Sequence, residues 1–174
     1  MRILKLGTFF FLMFFMAMGL HAKELTAVVK LSNIKVEKSS DRGGDEFYFN
    51  ITYYSSLGHS KNIRIPESPT HWLSQHVETV KDINLWTGTL AEGEEVRLIL
   101  SIVEQDYPPW DPDDLIGGVE LILKNEKGKL KKKWDVPTFE ERVEVEMKKP
   151  GNPQTIIFKG DEALYDVAFI VNQQ

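Results

Sequence analysis

The chain has 174 residues, no cysteine and a formal net charge of −5 at pH 7. Without cysteine the chain forms no disulfides. The acidic balance argues against nucleic acid as a partner, because proteins that bind nucleic acid present a basic face to its phosphates.

The first 22 residues have the pattern of a secretory signal peptide. Arg2 and Lys5 make the start positive, residues 6–20 form an almost unbroken apolar block, and Ala22 completes a cleavage site. The block is shorter than the roughly 20 residues that span a bilayer, although an uncleaved anchor is the alternative. Cleavage after Gly19 also fits the pattern.

We therefore expect an exported protein, secreted or periplasmic, whose mature chain is a single domain over residues 23–174. Arg2 and Lys5 account for two of the 21 basic residues. The mature chain then keeps 19 basic and 26 acidic side chains, a net charge of −7. A domain of this length can bury enough apolar surface to fold without disulfides.

Apolar and polar residues alternate with a period of two along most of the mature chain, which predicts strands. The first of these would be a long or broken edge strand. Residues 71–80 would form one or two helical turns or an irregular connection, and residues 87–94 and 127–133 would be loops or a solvated edge. The predicted strands are 24–39, 46–56, 62–65, 95–104, 117–125, 143–147, 155–158 and 163–172. Strands separated by turns, with little helix, predict an all-β fold, an antiparallel eight-stranded β-sandwich.

An acidic loop follows the strand at 95–104. It has the sequence EQDYPPWDPDDLIG from Glu104 to Gly117, with four aspartates and three prolines within nine residues. Proline has no backbone donor and a fixed φ, so this segment is a stiff loop. Crowded carboxylates repel one another unless a cation lies among them, and calcium takes six to eight oxygen ligands. A solvated acidic turn is the alternative.

Three segments resemble parts of the C2-type domain, an eight-stranded sandwich that binds calcium and lipid. DRGGDEFYFNI resembles the first acidic loop of that family, LWTGTLAEGEEVRLILSIVEQD resembles the approach to its third loop, and DDLIGG resembles the end of that loop. The sequence departs from the family at Glu104-Gln105-Asp106, where Asp-x-Asp is usual, at Asp45-Glu46-Phe47-Tyr48, where Asp-Pro-Tyr is usual, and in its longer, proline-rich loop.

The resemblance implies a calcium ion between the two loops. Its expected ligands are Asp41 and Asp45 from the first loop and Glu104, Asp106 and Asp114 from the other. Asp111 and Asp113 have no family equivalent and would be additional ligands.

The tip of the acidic loop carries Tyr107, Pro109 and Trp110. Amphipathic aromatic residues at such a tip could enter a membrane interface or the groove of a partner. Alternatively, Trp110 folds back to cap the sandwich. The lysines of 127–133 could meet anionic headgroups, although a solvated edge fits the acidic chain better.

The sequence shows no pattern that joins a nucleophile to a base. His71 and His76 are five apart, which suits neither a helical zinc pair nor a zinc finger, and no nucleophile elbow, GxGxxG or P-loop is present. We expect a non-catalytic binding domain, assisted by calcium, that engages a membrane surface or a protein partner through its acidic loops. The alternative is a calcium-independent adaptor in a secreted or envelope assembly.

Overall fold

The structure, a computed structural model, describes residues 23–106, 112–137, 143–160 and 162–174. The predicted signal peptide lies outside the described residues. The described part is almost entirely strand, with one short 3₁₀ segment at Ser74–Thr79. Its strands are β1 (Leu25–Lys38), β2 (Glu46–Ser55), β3 (Ser60–Ile65), β4 (Trp72–Leu73), β5 (Ile83–Leu90), β6 (Glu95–Glu104), β7 (Asp114–Glu126), β8 (Lys129–Asp135), β9 (Glu144–Met147), β10 (Gln154–Lys159) and β11 (Leu164–Gln173).

The strands form two antiparallel sheets that pack against each other. The first sheet has the order β5-β1-β11-β10-β9, and the second has the order β3-β2-β6-β7-β8, with β4 paired to β2. The predicted all-β, antiparallel fold is confirmed, but the described residues hold eleven strands rather than eight. The additional ones are β4, β5 and β8.

Two expectations about individual strands are wrong. β1 is not an edge strand, because it pairs with β5 on one side and β11 on the other. Residues 87–90 are not a loop, because β5 continues through Gly88 to Leu90. Its neighbour β1 supplies backbone partners for this segment, with Ala27 opposite Gly88.

The core follows from the alternation of the strands. In β2, Phe47, Phe49 and Ile51 are fully buried, while the residues between them lie on the outer face of the sheet. Phe49 meets Phe169 of the other sheet edge-on, with ring centroids 6.0 Å apart. Burying one such side chain stabilises the fold by about 1.5–3 kcal/mol.

Gly117 shows why the acidic loop closes with a glycine. A Cβ atom at this position would lie 2.5 Å from Cδ1 of Phe158, which is fully buried in the opposite sheet. The missing side chain therefore lets the start of β7 approach β10 closely, so this residue has a packing role.

The antiparallel order of the second sheet gives the fold two ends of different charge. The loop before β2 and the loop between β6 and β7 meet at one end, which we call the acidic end; it comprises residues 39–46 and 104–114. The β2–β3, β5–β6 and β7–β8 turns lie at the other end, which we call the lysine end; it comprises residues 54–61, 91–97 and 124–133. Among the described residues, no helix is long and apolar enough to span a bilayer.

Candidate functional site

The centre of the acidic end is Asp45, the last residue before β2. Its side chain is fully buried. Oδ1 accepts hydrogen bonds from Ser40 Oγ and from the backbone N–H of Asp41, both at 3.1 Å, and Oδ2 accepts one from the Tyr165 hydroxyl at 2.5 Å. The backbone N–H of Asp45 donates to Ser74 Oγ at 2.8 Å. A buried carboxylate needs such donors, and here protein groups occupy both of its oxygens.

Glu104, the last residue of β6, is the second buried acid, with 8% of its surface exposed. Its Oε2 lies 2.5 Å from Ser40 Oγ. Burial raises the pKa of Glu104 to about 7, the hydrogen bond with Ser40 opposes this, and the negative charges of Asp45, Asp106 and Asp41 raise it further. The carboxyl group of Glu104 is therefore partly protonated at neutral pH.

The serine between the two acids has one hydroxyl hydrogen, so it cannot donate fully to both. A protonated Glu104 resolves this conflict, because its own O–H can donate to Ser40 Oγ while Ser40 donates to Asp45. Glu104, Ser40 and Asp45 thus share one hydrogen-bonded chain.

Tyr165 connects this chain to the other sheet. It lies fully buried in β11 and packs edge-on against Phe47, with ring centroids 5.5 Å apart. Burial first, and then the hydrogen bond to Asp45, raises the pKa of Tyr165 far above its ordinary value, so the phenol keeps its proton. The loop before β2 is therefore attached to both sheets by side chains.

A second group of contacts covers the outer side of the acidic end. Asp113 accepts a hydrogen bond from the Tyr48 hydroxyl at 2.8 Å and one from the backbone N–H of Asp106 at 3.2 Å. The guanidinium of Arg64 stacks over the Tyr48 ring, 3.5 Å from its centroid, and donates to Gln105 Oε1 at 2.5 Å. Burial, followed by the contact with Asp113, raises the pKa of Tyr48 to about 12. Aromatic stacking and hydrogen bonds therefore hold the acidic loop on both sides of its tip, at Gln105 and Asp106 before it and at Asp113 after it.

The structure brings most of the predicted calcium ligands to one end. Asp45 and Glu104 both bond Ser40, the backbone N–H of Asp41 donates to Asp45, and Asp113 contacts the backbone of Asp106. Asp114 begins β7 opposite Glu104, with an exposed side chain. The other predicted residues lie outside the described part of the chain: Tyr107, Pro109, Trp110 and Asp111.

These carboxylates are arranged for protein donors. No group of three or more histidine or acidic side chains is placed to hold a metal ion among the described residues. The oxygens of Asp45 and Asp113 face hydroxyl and backbone N–H groups. Calcium takes six to eight oxygens, and the described donor set does not fit that shell as it stands. Calcium binding by this loop stays a prediction.

Sequence reasoning missed Ser40, Ser74, Tyr165 and the pair formed by Tyr48 and Arg64. Only Tyr165 carries a signal, because it alternates with Val167, Phe169 and Val171 on the inward face of β11. A tyrosine at a buried position needs a partner for its hydroxyl. The serines look like ordinary turn formers in the sequence, and the partner of Arg64 depends on strand pairing.

No family model and no curated protein matches the sequence. The functional argument therefore depends on the geometry.

Proposed function

We propose that the protein is an exported, non-catalytic β-sandwich domain that binds a protein partner through its acidic end, without calcium. The observation that carries the proposal is the buried chain of hydrogen bonds from Glu104 through Ser40 and Asp45 to Tyr165. This chain fixes the loops of the acidic end to both sheets. The loops therefore present a preformed surface, and binding a partner orders them at a low entropic cost.

The charge of this surface favours a basic partner. Asp41, Asp113 and Asp114 are exposed, and Glu46 is partly exposed beside them. Such a surface is repelled by an anionic bilayer, whereas it attracts lysine and arginine side chains of another protein. The protein would then act as an adaptor in a secreted or envelope assembly.

A calcium-assisted, C2-like membrane binder is the second candidate. One observation favours it: burial first, and then the charges of Asp45, Asp106 and Asp41, raise the pKa of Glu104, so negative charge that a cation would relieve lies close to this acid. Asp106, Asp111, Asp113 and Asp114 would supply the oxygens, and the loop tip would enter the bilayer. The eight strands predicted from the sequence would correspond to the family's sandwich, with β4, β5 and β8 as additions.

Site-specific photo-crosslinking in the producing cells tests the proposal. A photoreactive residue at position 41, on the acidic end, should give a defined protein adduct, and the adduct should persist when calcium is chelated. The same residue at the exposed position 87, in β5 and away from the acidic end, serves as a matched control, and it should give none. An adduct that disappears with chelator would favour the second candidate, and equal adducts at both positions would contradict binding through the acidic end.

A further inference from the structure

The lysine end carries a row of lysines on the outer face of the second sheet. The pairing of β7 with β8 places Lys124 opposite Lys131 and Ile122 opposite Lys133, and Lys129 follows the turn at Lys127. Lys124 pairs with Glu126 at 3.6 Å and Lys133 with Asp135 at 3.5 Å. No ion pair is formed by Lys127, Lys129 or Lys131 with the described residues, so these three ammonium groups are available to a ligand.

The carboxylates of the lysine end already have partners. Glu92 accepts a hydrogen bond from the backbone N–H of Lys23, and Glu95 pairs with Arg97 at 3.1 Å. Glu94 is buried and accepts from Ser55 Oγ and from the backbone N–H of Ala91. An open hollow between the turns is lined by Lys124, Lys127, Lys129 and Lys131, together with Glu92, Gly93, Asn125 and Glu126.

Large apolar side chains project at the same end. Leu57, in the β2–β3 turn, is 62% exposed, and Tyr54 at the end of β2 is 47% exposed. The backbone N–H of Ser56 donates to the carbonyl of Glu95, which fixes this turn beside the start of β6. Strands lie about 4.8 Å apart, so β2 and β8, three strands apart in the sheet, are separated by about 15 Å. The apolar and basic groups thus share one surface.

Asn125 holds the turns of the lysine end together. It is fully buried, and its Nδ2 donates to the carbonyls of Lys23 at 2.7 Å and Leu90 at 2.9 Å. Its Oδ1 accepts from the backbone N–H of Gly128 at 2.8 Å, and its carbonyl accepts from Gly93 at 2.9 Å. The short contact of Ser55 with Glu94 adds the β2–β3 turn to this frame. The surface is therefore preorganised.

From this arrangement we propose that the lysine end docks on an anionic lipid bilayer. A lysine near such a surface contributes through the negative potential of the headgroups, and an exposed leucine and tyrosine can enter the interfacial layer. A soluble polyanion would use the lysines but not Leu57. Docking in this way turns the acidic end away from the bilayer, so the proposal is independent of the partner proposed for that end.

Vesicle sedimentation tests this surface, with protein taken as the producing cells process it. The vesicles contain either phosphatidylcholine alone or phosphatidylcholine with 30% phosphatidylglycerol. The triple variant K127Q/K129Q/K131Q should partition onto the anionic vesicles about 100-fold less than the wild type, since each lysine contributes about fivefold. Leu57→Ser should weaken binding by several-fold, and raising the salt concentration should weaken the binding of the wild type.

A matched control is K38Q/R42Q/K81Q, which removes the same charge from exposed residues away from the lysine end. This control variant should bind the vesicles like the wild type. All variants carry the same N-terminal segment, so differences in binding among them come from the sandwich. Equal binding to both vesicle types would overturn the proposal, as would equal loss in the control variant. Binding to soluble polyphosphate as tight as to vesicles, with Leu57→Ser unchanged, would also overturn it in favour of a polyanion.

Discussion

At the two ends of the sandwich, the turns are held together by buried polar side chains of different chemistry. Each end has one fully buried polar residue that ties surrounding turns together, Asp45 at the acidic end and Asn125 at the lysine end. The amide of Asn125 bonds backbone groups that never change charge. Asp45 depends instead on hydroxyls and on a neighbouring acid, Glu104, whose charge changes with pH. The comparison indicates that the contacts of Asn125 do not depend on pH, whereas those of Asp45 and Glu104 do.

The largest expected effect comes from removing the amide at the lysine end. Asn125→Ala leaves the carbonyls of Lys23 and Leu90 and the backbone N–H of Gly128 without their partner. Each buried unsatisfied group costs about 1–3 kcal/mol, and water reaches some of them, so the free energy of unfolding should fall by about 3 kcal/mol. Urea unfolding at pH 5 and pH 8 should give the same loss.

The matched control for that variant is Asn33→Ala, because Asn33 is exposed in β1. Surface substitutions of this kind change stability by within about 0.5 kcal/mol. A loss at Asn125 that differs between the two pH values would break the contrast between the ends.

The pH dependence of the wild type should come from the acidic end. The pKa of Glu104 is raised from 4.5 to about 7 in the folded protein, so the folded state binds more protons than the unfolded state between these values. Stability therefore falls as the pH rises from about 4.5 to about 7, by about 3 kcal/mol at most, and does not recover above pH 7 through this group. Urea unfolding across pH 4–8 measures the slope.

The variant Glu104→Gln isolates this contribution, since glutamine does not titrate and its amide can donate to Ser40. The slope between pH 4.5 and pH 7 should be flatter in the variant than in the wild type. Glu78→Gln, at an exposed position, should keep the slope of the wild type. Identical slopes in all three proteins would mean that Glu104 is ionised in the folded state throughout this range.

A smaller effect is expected at the contact between the sheets. Tyr165→Phe removes the donor to Asp45 Oδ2 and keeps the ring packed against Phe47. Unfolding in urea should show a loss of about 2 kcal/mol, in the range for a hydrogen bond to a charged group. Tyr53→Phe is the control, because its ring packs against Trp86 at 6.0 Å while its hydroxyl makes no hydrogen bond with the described residues. A loss no larger than in the control would show that water replaces the phenol.

Much of the fold is predictable because burial imposes a period of two on β2, β6, β7 and β11. The sequence does not show that β1 is an inner strand, because strand order depends on pairing with β5 and β11, which are distant in sequence. The lysines of β8 suit a loop as well as a solvated edge, and β8 is the edge strand of the second sheet. At the site, acidic residues were visible in the sequence, but the sequence does not show which donors face them. Ser40 and Tyr165 are 125 positions apart, and only the fold brings both to Asp45.

The smallest expected effect concerns calcium, and it separates the two accounts of the acidic end. A ligand that binds only the folded state raises stability by about 2.7 kcal/mol when its free concentration is a hundred times its dissociation constant. Because protein donors face the oxygens of Asp45 and Asp113, we expect no shift of the melting temperature from micromolar to millimolar calcium, with magnesium as a control. Asp106→Asn should leave this flat response unchanged.

A rise of the melting temperature with calcium that exceeds the rise with magnesium, and that weakens in Asp106→Asn, would establish the cation-binding account, because magnesium demands a smaller octahedral shell. The crowded acids near Glu104 would then be a calcium site in its unliganded state, and the acidic end would differ from the lysine end by its cation as well as by its charge.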